Sequence, residues 1–181
     1  FMLALIASGF AISSVLRIRS EEAATRADWI LATPTARHTW AMSHLVVATV
    51  GVTAIMAVSG VATGVGFALV SGDVGQIGRI VAGALVLTPA LWVLCGVTTL
   101  LIGYSRHAAN AAWAVLAALV VVGLFGPLLE LPQWVRNLSP FEHVPALPGG
   151  SFDVVPLVVL TVFAVVALTL GVRALARRDV G

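Results

Sequence analysis

The side chains of this 181-residue chain that could do chemistry are four histidines and one cysteine. His38, His44, His107 and His143 do not have the spacing that brings ligands together around one metal ion. Cys95 lies in an apolar run, where a buried and unreactive thiol is expected, and a single cysteine excludes an intrachain disulfide. The sequence therefore predicts no metal centre and no catalytic site.

The basic residues of the chain are ten arginines, and lysine is absent. A P-loop reaches nucleotide phosphates through its lysine, so this chain is not a standard P-loop ATPase. No glycine-rich phosphate loop or nucleophile elbow is present either. The arginines are spread between loops and form no patch for nucleic acid. The sequence thus predicts a chain that holds no cofactor and binds no nucleic acid.

The elements that carry these residues are apolar helices. Hydrophobic residues make up 60% of the chain and charged residues 10%, and the mean hydropathy is +1.06, far from an average soluble domain. This composition predicts an all-α membrane protein, a polytopic bundle. Five apolar segments stand out, each a predicted membrane span: residues 1–16, 45–70, 80–103, 108–129 and 154–172.

Arginine placement predicts the orientation, because short arginine-rich loops stay in the cytoplasm. The loops on the opposite side hold only Arg79 and Arg136. We therefore expect a cytoplasmic C-terminus in a plasma membrane. Because the chain opens inside an apolar run, we also expect it to be an excerpt of a longer protein. The arginines assigned to the cytoplasmic side are Arg17, Arg19, Arg26, Arg37, Arg106, Arg173, Arg177 and Arg178.

The cytoplasmic segment between the first two spans predicts a short helix at about 20–32. Ser20 can cap it, and Glu21 and Glu22 in its first turn would favour the positive end of the helix dipole. Thr33 precedes Pro34, which favours a break there and a new helix afterwards. From the residues alone, a solvated loop that joins two spans fits equally well.

The same segment carries a family resemblance. The pair Glu21-Glu22, the element at 31–34 (Leu-Ala-Thr-Pro) and the following Arg37 resemble the coupling-helix region of type-2 ABC exporter permeases. The elements at 138–141 and 143–145 and the ending at 177–181 resemble actinobacterial exporters of polyketide or tetronasin-type antibiotics, in their C-terminal half.

This resemblance implies a bacterial permease domain with six spans, of which five are visible here. It implies a cytoplasmic coupling helix that contacts a separate ATP-binding subunit, where ATP and Mg²⁺ would be held. It also implies a second permease half, fused or separate, and an extracellular helical insertion at 130–153. The residues assigned to ATPase coupling are Glu21, Glu22, Arg26, Trp29, Leu31, Thr33, Pro34 and Arg37.

Within the spans, Gly60 and Gly64 have the spacing that lets two helices approach closely. Thr88 and Pro89 predict a kink in the third span, which either shapes a substrate cavity or is a static bend. A mainly apolar path would suit a hydrophobic small molecule. The candidate path residues, for which helix packing or interfacial anchoring is the alternative, are Thr88, Pro89, Trp92, Thr98, Asn110 and Trp113.

Two other function classes stay open at this stage. A structural or enzymatic membrane protein would need no ATPase partner. An ion-coupled carrier usually keeps a charged group inside the membrane, and no charged side chain lies well inside the five apolar runs. The loop at 130–153, rich in aromatic residues and helix breakers, predicts short interfacial helices or a structured connector.

Overall fold

A computed structural model of the chain describes residues 2–23, 37–105, 109–126, 128–145 and 153–177. All regular structure in these ranges is helical, as the composition predicts. The helices are α1 (Met2–Ala23), α2 (Arg37–Ser71), α3 (Gln76–Leu85), α4 (Thr88–Tyr104), α5 (Ala109–Phe125), α6 (Gln133–Arg136) and α7 (Val154–Arg177), with a 3₁₀ turn at Pro140–His143.

Four helical stretches of the described residues are long and apolar enough to cross a membrane: Met2–Glu22, His38–Ser71, Gln76–Tyr104 and Val154–Arg177. The span predicted at 108–129 is shorter, because α5 has 17 residues. At about 1.5 Å per residue it is roughly 25 Å long, less than a hydrocarbon core of about 30 Å. The sequence Gly126-Pro127 explains this early end, since proline lacks a backbone donor and disfavours helix at the residue before it.

The core forms where α1 packs against α2 and α4. Buried residues recur every three or four positions along α1, which is the stripe expected of a helix with one packed face. Phe10 lies directly over Gly51 of α2, where an added Cβ would meet ring carbon Cζ at 2.8 Å. The buried stripe of α1 consists of Ala4, Ala7, Ala11, Val15 and Ile18.

Helices α2 and α3 form a close antiparallel hairpin, as the glycine spacing predicts. A Cβ on Gly60 would meet the Cβ of Ala84 at 2.9 Å, and one on Gly64 would meet the Cα of Ile77 at 3.1 Å. Gly72 makes the turn with a φ of +74°, a conformation that glycine adopts without steric cost. The prediction of a packing role for Gly60 and Gly64 is confirmed.

The third predicted span is divided into two helices at the position where Thr88 and Pro89 predict a kink. Helix α3 ends at Leu85, and α4 begins at Thr88 with Pro89 in its first turn. Proline has no N–H to donate to the carbonyl of Leu85, so the helical ladder is interrupted there. As a result, α3 packs mainly on α2, whereas α4 packs mainly on α7 and α1.

The most extensive helix contact joins α4 to α7, which run parallel. We call this contact the α4–α7 seam. A Cβ on Gly171 would meet Thr99 Cγ2 at 2.7 Å and the backbone of Thr99 at 2.8 Å. Small residues therefore set the distance between the two helices. The seam is formed by Gly96, Thr99 and Gly103 of α4 and by Ala167, Gly171 and Ala174 of α7.

The helix pairings place the arginines in two groups. Helices α4 and α7 are parallel, because Gly96 meets Ala167 and Gly103 meets Ala174. Phe10 in the middle of α1 meets Gly51 of α2, and only 13 residues join the end of α1 to the beginning of α2, so these two helices are antiparallel. The ends of α1 and α4, the beginning of α2 and the end of α7 therefore meet at one end of the bundle, which we call the arginine-rich end. Arg17, Arg19, Arg173 and Arg177 lie there, and Arg79 and Arg136 lie at the other end.

The segment predicted as an insertion before the last span contains short helices, α6 and the 3₁₀ turn. An ion pair between Arg136 and Glu142 ties the two together. Phe141 is only 7% exposed and joins the hydrophobic core, so this ring packs under the insertion, whereas Trp134 is 67% exposed. The insertion covers the end of the bundle opposite the arginine-rich end.

Candidate functional site

The described part of the predicted coupling region is the last turn of α1. Ser20 was expected to cap a separate helix, but it lies inside α1, and its hydroxyl donates to the Arg17 carbonyl at 2.9 Å. Glu22 pairs with Arg19 at 3.5 Å, one helical turn away. The helix therefore continues past the apolar run and carries Glu21 and Glu22 at the arginine-rich end. Both carboxylates are half-buried.

The other residues assigned to coupling are Arg26, Trp29, Leu31, Thr33 and Pro34, and they lie outside the described residues. Arg37 is the first residue of α2. Residues 24–36 thus connect the end of α1 to the beginning of α2, and both helix ends lie at the arginine-rich end. The assignment of these residues to a coupling helix stays a prediction.

A groove of about 410 Å³ opens between α2 and α4 beside Trp92. Trp92 forms the wall on the α4 side. Five residues from successive turns of α2 form the other wall. Residue 54, one of these, is the midpoint of the 35-residue α2, so the groove lies at mid-depth in the bundle. We call this the Trp92 groove, and its lining residues are Thr49, Val50, Thr53, Ala54, Ala57 and Trp92.

The polar atoms of the Trp92 groove are hydrogen-bonded within the protein. The indole Nε1 of Trp92 donates to the Thr49 carbonyl and to Thr53 Oγ1, both at 3.3 Å. Thr53 Oγ1 donates in turn to the Thr49 carbonyl at 2.8 Å, and Thr49 Oγ1 donates to the Leu45 carbonyl at 2.8 Å. The groove therefore offers methyl groups and an indole ring, a surface suited to an apolar or aromatic molecule.

Three other candidate path residues lie along α4. Thr88 is 4% exposed, and its hydroxyl has no hydrogen-bond partner among the described residues. Thr98 is 2% exposed, and Pro89 is half-buried at the beginning of α4. These residues follow the interior of α4, and none of them lines the Trp92 groove.

The two candidates on α5 lie apart from the Trp92 groove. Asn110 is exposed in the first turn of α5, and Trp113, one turn further, is 44% exposed. Neither residue lines the groove. Of the six predicted path residues, Trp92 lines the groove between α2 and α4, and the structure brings Thr49 and Thr53 to it. Sequence reasoning missed these two threonines, although their spacing of four on an apolar helix places them on one face.

A second, apolar cleft of about 290 Å³ lies under the insertion. Its walls come from α4, α5 and α7 and from residues 137–143 of the insertion. Asn137 and His143 bring polar groups to its rim, and the His143 Nδ1 atom lies 3.1 Å from the Ser139 carbonyl. The wall residues are Val93, Leu94, Val97, Val115, Leu119, Leu138, Pro140, Leu160 and Phe163.

Comparison with known proteins places this helical arrangement in a family. Residues 1–175 match the C-terminal domain of the multidrug efflux system permease Rv1217c. The chain is 39% identical over 180 residues to the multidrug efflux system permease protein Rv1217c of Mycobacterium tuberculosis (strain ATCC 25618 / H37Rv). The match covers 99% of this chain and 33% of the relative, so the chain spans about a third of that protein's length. This chain therefore belongs to the family of C-terminal domains of multidrug efflux permeases.

Proposed function

We propose that this chain is the C-terminal membrane half of the permease of an ATP-driven ABC exporter, which moves lipophilic or amphipathic compounds out of a bacterial cell. The observation that carries the proposal is the match to an efflux-permease domain over residues 1–175. The chain would lie in the plasma membrane with its C-terminus and its arginine-rich end in the cytoplasm, as the positive-inside rule favours.

The Trp92 groove supports a lipophilic cargo. It lies at mid-depth in the bundle and has the hydrogen-bonding groups of Trp92, Thr49 and Thr53 directed to one another. A polar cargo would have to break these bonds to bind, whereas an apolar or aromatic cargo would contact the indole ring and the threonine methyl groups without doing so. The groove thus favours hydrophobic compounds over polar ones.

The energy source would be a separate ATP-binding subunit that docks at the arginine-rich end and holds ATP and Mg²⁺. Helix α1 extends from the membrane core to this end and carries Glu21 and Glu22 on its last turn. A movement of the docked subunit would therefore reach α1 directly. Because α1 packs on both α2 and α4, a shift of α1 would reach the two walls of the Trp92 groove.

A second permease half would complete the pathway, either fused to this chain or separate. The chain covers a third of its relative, so that protein has room for another membrane half. Much of the outer surface is apolar, including Val47 at 64% exposed and Val159 at 60% exposed. Such surfaces face lipid or another membrane helix.

Transport by the full-length protein with its ATPase tests the proposal in inside-out vesicles. We expect uptake of a hydrophobic fluorescent dye that requires ATP and persists when a protonophore collapses the proton gradient. Transport that follows the ion gradient without ATP would instead identify an ion-coupled carrier. Absence of transport, together with absence of a bound ATPase, would favour a structural or enzymatic membrane protein.

Charge reversal at the end of α1 tests the docking of the ATPase. We expect the double variant Glu21→Arg, Glu22→Arg to lose at least about tenfold of the co-purified ATPase, a cost of about 1.4 kcal/mol in binding. The matched control is Glu130→Arg, an exposed carboxylate at the opposite end of the bundle. Equal ATPase recovery from both variants, with unchanged elution in size-exclusion chromatography, would exclude a coupling role for this turn.

A further inference from the structure

A cleft of about 400 Å³ lies at the arginine-rich end, where α4 ends against α7. The α4–α7 seam closes just before this point, where a Cβ on Gly103 would meet the Cβ of Ala174 and the carbonyl of Gly171, each at 2.9 Å. The floor of the cleft is therefore made of small residues. We call this the arginine cleft, and its lining residues are Gly103, Tyr104, Leu170, Arg173, Ala174 and Arg177.

The arginine cleft carries two arginines that pair with no carboxylate among the described residues. Arg173 and Arg177 are four residues apart and so lie on one face of α7. Both are exposed, and neither has an ion pair or hydrogen bond with another residue that the structure describes. At the same end of the bundle, the carboxylate of Glu22 pairs with Arg19. Two guanidinium groups over a cleft with no acidic wall residue are suited to a phosphate.

The third polar group of the cleft comes from α4. Tyr104 is the last residue of α4 and is 78% exposed. Its phenol can donate a hydrogen bond to a phosphate or glycerol oxygen, and its ring adds an apolar surface at the level where headgroups lie. The polar end of the cleft therefore has two charged donors from α7 and one neutral donor from α4.

The other end of the cleft is apolar and continues along α7. Leu170 lines the cleft and is 44% exposed. The next residues on the same face towards the membrane interior, Val166 and Val162, are 47% and 57% exposed. A ligand that fills this site would have a negatively charged head at Arg173 and Arg177 and a hydrocarbon tail along α7. That combination describes a phospholipid better than a soluble phosphate.

We propose that the arginine cleft binds the headgroup of an anionic phospholipid, with one acyl chain along the exposed face of α7. Arg173 and Arg177 would bind the phosphate, Tyr104 would donate to it, and Leu170 would contact the start of the chain. A bound lipid would join the ends of α4 and α7 at the membrane surface. This proposal requires only that the chain lies in a membrane, and it is independent of the proposed transport.

Native mass spectrometry of the full-length protein in a neutral detergent tests this site by counting bound lipids. The probe is dioleoylphosphatidylglycerol, compared with dioleoylphosphatidylcholine and with inorganic phosphate. Each arginine near the surface favours an anionic lipid by about fivefold in affinity. We expect one tightly bound phosphatidylglycerol that phosphatidylcholine does not replace and that inorganic phosphate does not compete off.

Arginine variants connect this binding to the cleft. We expect Arg173→Gln to weaken phosphatidylglycerol binding by about fivefold and the double variant with Arg177→Gln by about 30-fold. The matched control is Arg79→Gln, which removes an exposed arginine at the other end of the bundle and should leave binding unchanged. Because Arg173 and Arg177 are exposed, these variants should keep the native elution volume.

Three results would overturn the proposal. Equal phosphatidylglycerol binding by the native protein and the double variant would show that these arginines only anchor α7 at the interface. An equal loss in Arg79→Gln would show a general effect of net charge. Competition by inorganic phosphate at the same concentration as the lipid would identify a soluble phosphate as the ligand.

Discussion

The α4–α7 seam and the Trp92 groove both use α4, but the two regions are packed in opposite ways. In the seam, an added Cβ on Gly171 would meet backbone atoms of Thr99 and Leu100 at 2.8 and 2.9 Å, so the helices touch. At the groove, the indole nitrogen of Trp92 bonds to α2, and about 410 Å³ beside the ring stays open. Glycine residues therefore let α4 and α7 touch, whereas α4 bonds to α2 through the large side chain of Trp92.

This difference separates a structural role from a binding role. A seam of touching backbones has no room for a ligand, and its energy comes from close packing. A groove whose polar atoms are already hydrogen-bonded can accept a hydrophobic molecule without leaving a buried polar group unpaired. Substitutions in the seam should therefore change stability first, and substitutions in the groove should change transport first.

The largest effect is expected from one added methyl group in the seam. Gly171→Ala places a Cβ against backbone atoms that cannot move aside, and overpacking of this kind costs about 1–3 kcal/mol. The measurement is the free energy of unfolding in mixed micelles with a denaturing detergent. Gly66→Ala is the matched control, since a Cβ at Gly66 of α2 meets nothing within 4 Å. If both substitutions have the same effect, the α4–α7 seam has room for a Cβ at Gly171.

A larger side chain at the edge of the Trp92 groove should reduce transport with little change in stability. Ala54 lines the groove and is exposed, so a phenylalanine ring there would occupy the space of a cargo. We expect Ala54→Phe to lower dye transport by about fivefold or more, equivalent to about 1 kcal/mol. Val58→Phe is the control, one turn further along α2 at a position that is 68% exposed and outside the groove. Equal transport by the two variants would remove the groove from the pathway.

The sequence predicts the membrane helices well because the apolar runs mark them directly. Pro89 predicts a kink at the position where the third span divides, and the spacing of Gly60 and Gly64 predicts a close approach to another helix, which is α3. Both features are local, since a proline interrupts its own helix and two glycines four apart open one face of theirs.

The features that the sequence does not predict depend on which helices are neighbours. Gly96 and Gly103 are seven residues apart, which places them on one face of α4, but only the fold shows that Gly171 of α7 meets that face. Likewise, Thr49 and Thr53 become part of a groove only because Trp92 contacts them across 43 and 39 residues of sequence, respectively. The apolar run also predicts too early an end for α1, at residue 16. The helix continues to Ala23, and an ion pair between Arg19 and Glu22 lies in this added part.

The substitution Thr88→Val tests whether the buried face of α4 only packs against other helices or also contacts the cargo. Its buried hydroxyl has no partner among the described residues, and a buried unpaired hydroxyl costs about 1–3 kcal/mol. If Thr88 only packs, then Thr88→Val should leave transport unchanged and raise the free energy of unfolding by about 1 kcal/mol. Thr98→Val, at another buried threonine of α4, serves as the comparison. A loss of transport in Thr88→Val without a loss of stability would assign this hydroxyl to the cargo path.

The smallest effect is expected from Trp92→Phe, which separates the two contributions of Trp92. This substitution keeps an aromatic ring in the groove but removes the N–H that donates to Thr49 and Thr53 at 3.3 Å. Since these bonds are long, we expect a loss of no more than about 0.5 kcal/mol in the free energy of unfolding. Trp92→Ala removes the ring as well and should lower dye transport by about fivefold. If phenylalanine reduces transport as much as alanine does, the indole nitrogen positions the groove walls, and the ring is not the main contact for a hydrophobic cargo.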